Sequence, residues 1–424
     1  MFFPQWFGLI ICLFILLILG LTVFFEFNIL LTFQSWGSLN SKAELSSHQR
    51  CSTLDFRDVI KAGRARLAPG SRALVTGACG FIGSHVADFV LNELRIGKVV
   101  AVDDLSGGFP RNSEKFVSGG GVLVVGDIKN VTFVKELYST HGPFDFVYHI
   151  AAYAAEGLSH FIRHYNYENN LLGSVNLLNA ALSQPVLPSA FIFTSSIAAY
   201  GASDGVPPFT ELSPKTPEDP YGIAKMAFEL DLKAAHHMFG LNYIIFRPHN
   251  VYGPRQNIAD KFRNAVGIFM NQILRNESVT IFGDGNQKRA FSYISDVADI
   301  IGASILFEHA HNNDFFVGND KEYSINQLAR AVITAMGATP PSGGAVQVTH
   351  LESRKEVTDA FPFHGKLRCV FNPPPTIDLQ EGLQRTADYV KKHGSFSPTG
   401  YKNIEVPKNL PPSWSAWLNN SMPP

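Results

Sequence analysis

The stretch Arg72-Ala73-Leu74-Val75-Thr76-Gly77-Ala78-Cys79-Gly80-Phe81-Ile82-Gly83-Ser84-His85 restricts the fold of this chain more than any other. An apolar strand ends at Thr76, a glycine turn follows, and a helix is predicted over residues 81–91. Gly77 can take the tight turn, Gly80 lets backbone amides approach a pyrophosphate, and Gly83 permits close contact between helix and strand. The first turn of the helix, with Phe81 and Ile82, presents N–H donors to phosphates. A glycine triplet alone also fits an ordinary tight turn. Here Lys98-Val99-Val100-Ala101-Val102-Asp103 follows, a second strand ending in a carboxylate 20 positions beyond Gly83. At that distance an acid reaches the adenosine ribose hydroxyls of a dinucleotide. Asp103 favours NAD over NADP, because a ribose 2′-phosphate would meet a like charge.

The 424 residues suffice for a large core, read here as one catalytic unit of two closely joined lobes. Lys and Arg total 35 against 36 Asp and Glu, so no basic field points to nucleic acid. Cys12, Cys51, Cys79 and Cys369 have neither metal-ligand spacing nor the pattern of a disulfide framework, and no metal is expected.

From Trp6 to Phe25 there are 20 residues without a charge, and apolar character continues to about Phe33. That length spans a bilayer and exceeds a signal-peptide core, and neither a basic leader nor a cleavage site flanks it. Residues 1–34 are therefore expected to be a retained transmembrane helix and 35–70 a stem, with a short helix near 56–68. A single-pass protein of the Golgi or endoplasmic reticulum is expected. Lys42 and Arg50 pull the following domain toward the cytosol, sequons at Asn130, Asn276 and Asn419 fit the lumen, and the side stays open.

Further along, Val122-Leu123-Val124-Val125 leads to Asp127 and Ile128, where Asp127 can face the adenine or cap the next helix. Residues 144–152 and 190–195 read as two more strands with a helix over 169–182 between them, and 241–247 as a sixth strand. Alternating strands and helices predict an α/β fold, a doubly wound parallel sheet covered on both faces. Residues 71–250 are assigned to this Rossmann-type NAD-binding domain, 251–395 mainly to a smaller C-terminal substrate-binding lobe, and 396–424 to an irregular tail.

The fifth strand delivers Ser195 and Ser196 to the C-terminal edge of the sheet, and Tyr221 follows Ser196 by 25 residues. Tyr221 and Lys225 stand four apart at the start of a helix and share a face. A phenol ordinarily titrates near 10; a neighbouring ammonium and a cationic nicotinamide ring would both favour the phenolate. Ser196 is placed to hydrogen-bond a reacting oxygen and guide its proton to Tyr221.

With these motifs, and with Thr194-Ser195-Ser196-Ile197-Ala198-Ala199-Tyr200-Gly201, Arg247-Pro248-His249-Asn250-Val251-Tyr252-Gly253-Pro254-Arg255-Gln256 and Gly283-Asp284-Gly285-Asn286-Gln287-Lys288-Arg289, the chain resembles the extended short-chain dehydrogenase/reductase family over roughly residues 72–390. Within that family it is similar to the nucleotide-sugar epimerases of UDP-glucose 4-epimerase type. The resemblance implies catalysis by Ser196, Tyr221 and Lys225. It implies NAD contacts from Gly77, Gly80, Phe81, Ile82, Gly83, Asp103, Asp127, Ile128, Tyr221 and Lys225. Ser196, Asn250, Arg289 and Arg354 are implied to meet the UDP-sugar, although the sequence around Arg354 departs from the family pattern.

The family's dehydratases often carry Thr-Asp-Glu where this chain has Thr194-Ser195-Ser196, which implies C4 epimerisation instead. UDP-glucose/UDP-galactose or their N-acetyl forms are the expected substrates. A UDP-glucuronate 4-epimerase, a UDP-glucuronate decarboxylase and a non-catalytic membrane-tethered NAD-binding scaffold stay open as alternatives. The resemblance also implies a homodimer built from the helices near 169–182 and 221–239.

Overall fold

In the central strands, alternate residues go to opposite faces, and both faces are covered. Strand β1 (Arg72–Thr76) sends Ala73 and Val75 into one apolar core and Leu74 into the other. Strand β5 (Ala190–Thr194) repeats this, with Ala190 and Ile192 on one side and Phe191 and Phe193 on the other. The remaining strands are β2 (Lys98–Asp103), β3 (Val122–Val125), β4 (Phe146–His149), β6 (Tyr243–Pro248) and a late strand, Asn313–Val317. The seven-stranded order is Asn313–Val317, β6, β5, β4, β1, β2, β3, with every neighbouring pair parallel.

This computed structural model describes residues 51–201, 207–338, 346–353, 359–394, 403–411 and 414. The expected membrane helix, residues 35–50 of the stem and Arg354 lie outside them. No helix among the described residues is long and apolar enough to cross a membrane. From Ser52 onward the chain belongs to one compact unit.

The order reverses between β1 and β4, and at such a switch point the C-terminal strand ends splay apart and leave a crevice. Beyond β6 lie a parallel pair (Val279–Phe282 with Val348–Leu351) and a three-stranded sheet (Glu322–Ser324, Lys288–Ala290, Asp359–Ala360), and Phe282, Arg289, Leu351 and Ala360 of these strands line the cleft described below. Ser324 and Gln327 close a capping box at the start of the helix Ile325–Ala335. The helix Ala265–Leu274 begins where the Asn264 side chain accepts from the N–H of Val266 and sets the cap. Cys79 is a free, buried thiol, whereas Cys51 and Cys369 are disulfide-bonded, which the sequence spacing did not foretell.

A buried ionic network joins three elements of the sheet edge. Arg247 on β6 is fully buried and donates from Nε and Nη2 to the two oxygens of Glu229, both at 2.8 Å. It also donates to Tyr200 Oη at 2.9 Å and pairs with Asp314 of the late strand. Lys215 Nζ donates to Glu229 at 2.6 Å. Burial pushes the Glu229 carboxyl upward, but the hydrogen bonds and charge of Arg247 and the Lys215 ammonium outweigh it, so it lies below the usual range. Removing one member of such a network strands the others in a dry environment. Glu229→Gln should therefore lose about 3 kcal/mol or more of stability at neutral pH, read by urea unfolding. A depressed carboxylate contributes stability above its unfolded pKa and loses it as pH falls, so the gap between variant and wild type should narrow below about pH 4. Equal stability at pH 7 would contradict this reading.

Candidate active site

The glycine turn is shaped by close backbone approach. Gly77 has φ +72°, and a Cβ there would sit 2.8 Å from the Ala151 Cα; a Cβ on Gly83 would sit 2.0 Å from the Gly77 carbonyl oxygen. Only hydrogen fits at either position. The helix Phe81–Asp88 starts after Gly80, and no side chain caps it. Its first-turn residues Phe81 and Ile82 line the same cleft as Gly77, Gly80 and Gly83, so the turn fits a phosphate-bearing group. Asp103, at the end of β2, also lines the cleft; its carboxylate accepts from Cys79 N at 2.9 Å and Leu105 N at 2.8 Å. Asn130, not Asp127, caps the helix Val131–His141. Asp127 instead lines the cleft with Ile128, ion-paired to Lys129 at 3.2 Å.

The cleft floor is wired to the sheet. Thr76 Oγ1 accepts from the amides of Ile150 and Ala151, both at 3.2 Å, leaving its proton for His149 Nδ1 at 2.8 Å. His149 Nε2 then donates to Ser174 Oγ at 2.7 Å, which donates to the Asn170 carbonyl at 3.0 Å. This assignment needs a neutral imidazole, and burial lowers the His149 pKa to about 3.

At the other end of the crevice, Asp219 caps the helix Pro220–Phe239 by accepting from Gly222 N at 2.9 Å. Tyr221 and Lys225 both face inward, 5% and 2% exposed. Lys225 Nζ donates to the Thr194 carbonyl at 2.8 Å and lies 5.8 Å from the Tyr221 ring centroid. Ser196 Oγ accepts from Ala198 N at 3.1 Å, and its hydroxyl acts on the Tyr221 phenol. Burial pushes the phenol above its ordinary pKa, and Glu156 adds to this, while Ser196 and Arg263 act in the opposite direction. Burial likewise lowers Lys225 to about 7, with Glu229 opposing. The lowering of the phenol expected from the lysine is thus outweighed by desolvation in the protein itself.

The glycine turn, Asp103, Asp127, Ser196, Tyr221 and Lys225 line one cleft of about 950 Å³, a volume large enough for a cofactor and a sugar nucleotide together. Asn250 and Arg289 line its far side; Asn250 has φ +38° and donates from Nδ2 to the Ala290 carbonyl at 3.0 Å. Sequence reasoning missed the basic pair Lys261 and Arg263, the aromatic Phe262 between them, His160, and Trp414 from the tail, which also line the cleft. The alternation Lys261-Phe262-Arg263 just after the Gly253-Pro254-Arg255 loop was the available signal for the first three. Arg255, within that loop, is used structurally, pairing with Asp88 at 2.7 Å.

With the geometry established, similarity to known proteins is informative. The NAD dependent epimerase/dehydratase family matches residues 73–318. The chain is 29% identical over 326 residues to a putative UDP-glucose 4-epimerase of Methanocaldococcus jannaschii, covering 76% of this chain and 98% of that protein. It is 31% identical over 346 residues to a UDP-glucuronate 4-epimerase of Thermodesulfobacterium geofontis, covering 80% and 98%. The crystal structure of UDP-glucose 4-epimerase with UDP-glucose from Thermotoga maritima is 31% identical, with a TM-score of 0.69 over 76% of this chain and 99% of that one. A glycine cradle for a dinucleotide, a Ser-Tyr-Lys cluster beside it and a match over more than half of the chain agree: this protein belongs to the NAD-dependent epimerase/dehydratase family, with NAD as its cofactor.

Proposed function

We propose that the protein interconverts a UDP-sugar and its C4 epimer through a 4-keto sugar, with UDP-glucose/UDP-galactose or the N-acetyl forms as substrates. The convergence of Ser196, Tyr221 and Lys225 beside the glycine turn, in one cleft, carries this reading. Gly77, Gly80, Phe81, Ile82, Gly83, Asp103, Asp127 and Ile128 would hold NAD, with Tyr221 and Lys225 at its nicotinamide end. When bound, NAD supplies reversible acceptance of the sugar C4 hydrogen with its electron pair, and its cationic ring favours the phenolate of Tyr221. Tyr221 Oη takes the proton of the sugar 4-hydroxyl and returns it to the inverted alcohol. Ser196 Oγ hydrogen-bonds the same oxygen, and Lys225, fixed on Thr194, holds positive charge under the phenol. Asn250 and Arg289 face the diphosphate, where a guanidinium can engage oxygens bidentately.

Similarity to both UDP-glucose and UDP-glucuronate epimerases leaves the sugar to be argued from the cleft. Glu156 lines it and acts electrostatically on Tyr221. A carboxylate at the reacting end repels a uronate, so a neutral sugar is favoured. Purified protein without added NAD should convert UDP-glucose to UDP-galactose, followed by chromatography of the nucleotide sugars. UDP-glucuronate should react more slowly, and Tyr221→Phe should lower kcat about 100-fold or more. Release of NADH in place of an epimer, or full activity of the variant, would refute the proposal.

We further propose a homodimer through the helix Pro220–Phe239 and the neighbouring segment 168–182. Leu172 and Leu230 on these elements are 54% and 55% exposed, and Ile223 is 39% exposed. Leu residues left in water on adjacent helices are what a helix-packed interface would cover. Leu230→Arg should convert a sedimenting dimer into a monomer, and a wild-type protein that sediments as a monomer would remove this reading.

A further inference from the structure

Residues 403–411 and Trp414 dock on the rest of the protein and lie beyond the family-matched residues. The amides of Glu405 and Val406 donate to the Phe161 carbonyl at 2.8 and 3.2 Å. The Glu405 carboxylate accepts from the amides of His164 and Tyr165 at 2.7 and 2.9 Å. A few residues on, Trp414 is 3% exposed and packs with Ala155, Leu158 and Ile162. Its ring meets Phe161 edge-on at 5.9 Å between centroids and Phe262 at 4.8 Å.

These two phenylalanines belong to two segments that border the cleft, residues 153–163 and 258–264, which also touch where the Arg263 guanidinium lies 5.3 Å from the Tyr153 ring centroid. Phe161 continues the stretch carrying Glu156, Gly157 and His160, and Phe262 stands between Lys261 and Arg263; all but Phe161 line the cleft, as does Trp414 itself. The first segment also holds the backbone of Tyr221: Tyr221 N donates to Ser159 Oγ at 3.2 Å, and Ser159 Oγ donates to the Glu156 carbonyl at 2.6 Å. Trp414 is therefore packed against both segments at once, on the side of the cleft where Tyr221 sits.

We propose that residues 403–411 and Trp414 tie these two segments together, with Trp414 and Glu405 as positioning residues that set the spacing of the two segments and thereby the affinity for the sugar. A wedge between two aromatic edges resists separation of its neighbours, because moving either segment exposes apolar surface and breaks a ring contact. Glu405 fixes the segment in register by satisfying two backbone donors that the short helix Arg163–Tyr167 cannot pair internally.

The sugar-affinity part rests on the epimerase reading, and the test separates the two. In the full chain, Trp414→Ala should raise the KM for UDP-glucose about tenfold, the size of a lost aromatic anchor, with kcat changed less than about threefold. Trp414→Phe should restore most of the affinity. Amide hydrogen exchange should accelerate in residues 155–163 and 258–264 of Trp414→Ala, and at His164 and Tyr165 of Glu405→Ala, while the central strands keep wild-type protection. Exchange needs no turnover, so a wild-type chain that epimerises no UDP-sugar but shows these changes would sink the epimerase reading and leave the tie standing. Unchanged exchange at 258–264 in Trp414→Ala would overturn the tie, as would acceleration spread evenly through the fold with kcat and KM failing together.

Discussion

A buried ammonium must find an acceptor, and Lys225 finds the carbonyl of Thr194 at 2.8 Å. That contact docks the helix Pro220–Phe239 against the last residue of β5, one residue before the serine pair. Because Tyr221 is one turn earlier on the same face, the docking places its phenol beside Ser196. The glycine turn lies across the strand reversal from this point, at the end of β1. Ser196, Tyr221, Lys225 and the glycine turn thus come together because parallel strands end at one edge, not because they are close in sequence.

Electrostatics follow from the same burial. Desolvation moves Tyr221 up and Lys225 down, so both drift toward neutral forms. Glu229, one turn beyond Lys225, opposes this on the lysine and is itself held by Arg247 and Lys215. The ionic network at the sheet edge and Lys225 consequently share a helix face. His149 stays neutral beneath the cleft, carrying a hydrogen-bond chain from Thr76 to Asn170 without placing a cation near the cofactor floor.

The glycine turn, Asp103, the serine strand and the Tyr221/Lys225 pair were legible because each is a local pattern with a fixed geometric consequence. Strand and helix alternation likewise exposed the six strands from Arg72 to Pro248. The late strand Asn313–Val317 was not seen, because five residues flanked by polar asparagines carry no period and their placement beside β6 depends on long-range pairing. Lys261, Arg263 and Trp414 were missed. Their position at the cleft comes from packing between segments more than 90 residues apart in sequence. Asp127 had two physical roles from sequence, and Asn130 three residues later removed one of them by taking the cap.

The central claim is that inversion proceeds by oxidation and return within one closed site, with the phenol of Tyr221 handling only the proton. UDP-glucose deuterated at C4 tests this most directly, with the product analysed by mass spectrometry and NMR. The account predicts UDP-galactose that keeps the label at C4, with none in water or in added cofactor. Loss of the label to solvent would mean that the C4 bond is broken as an acid and not as a reductant, and would contradict the assignment of roles at this site.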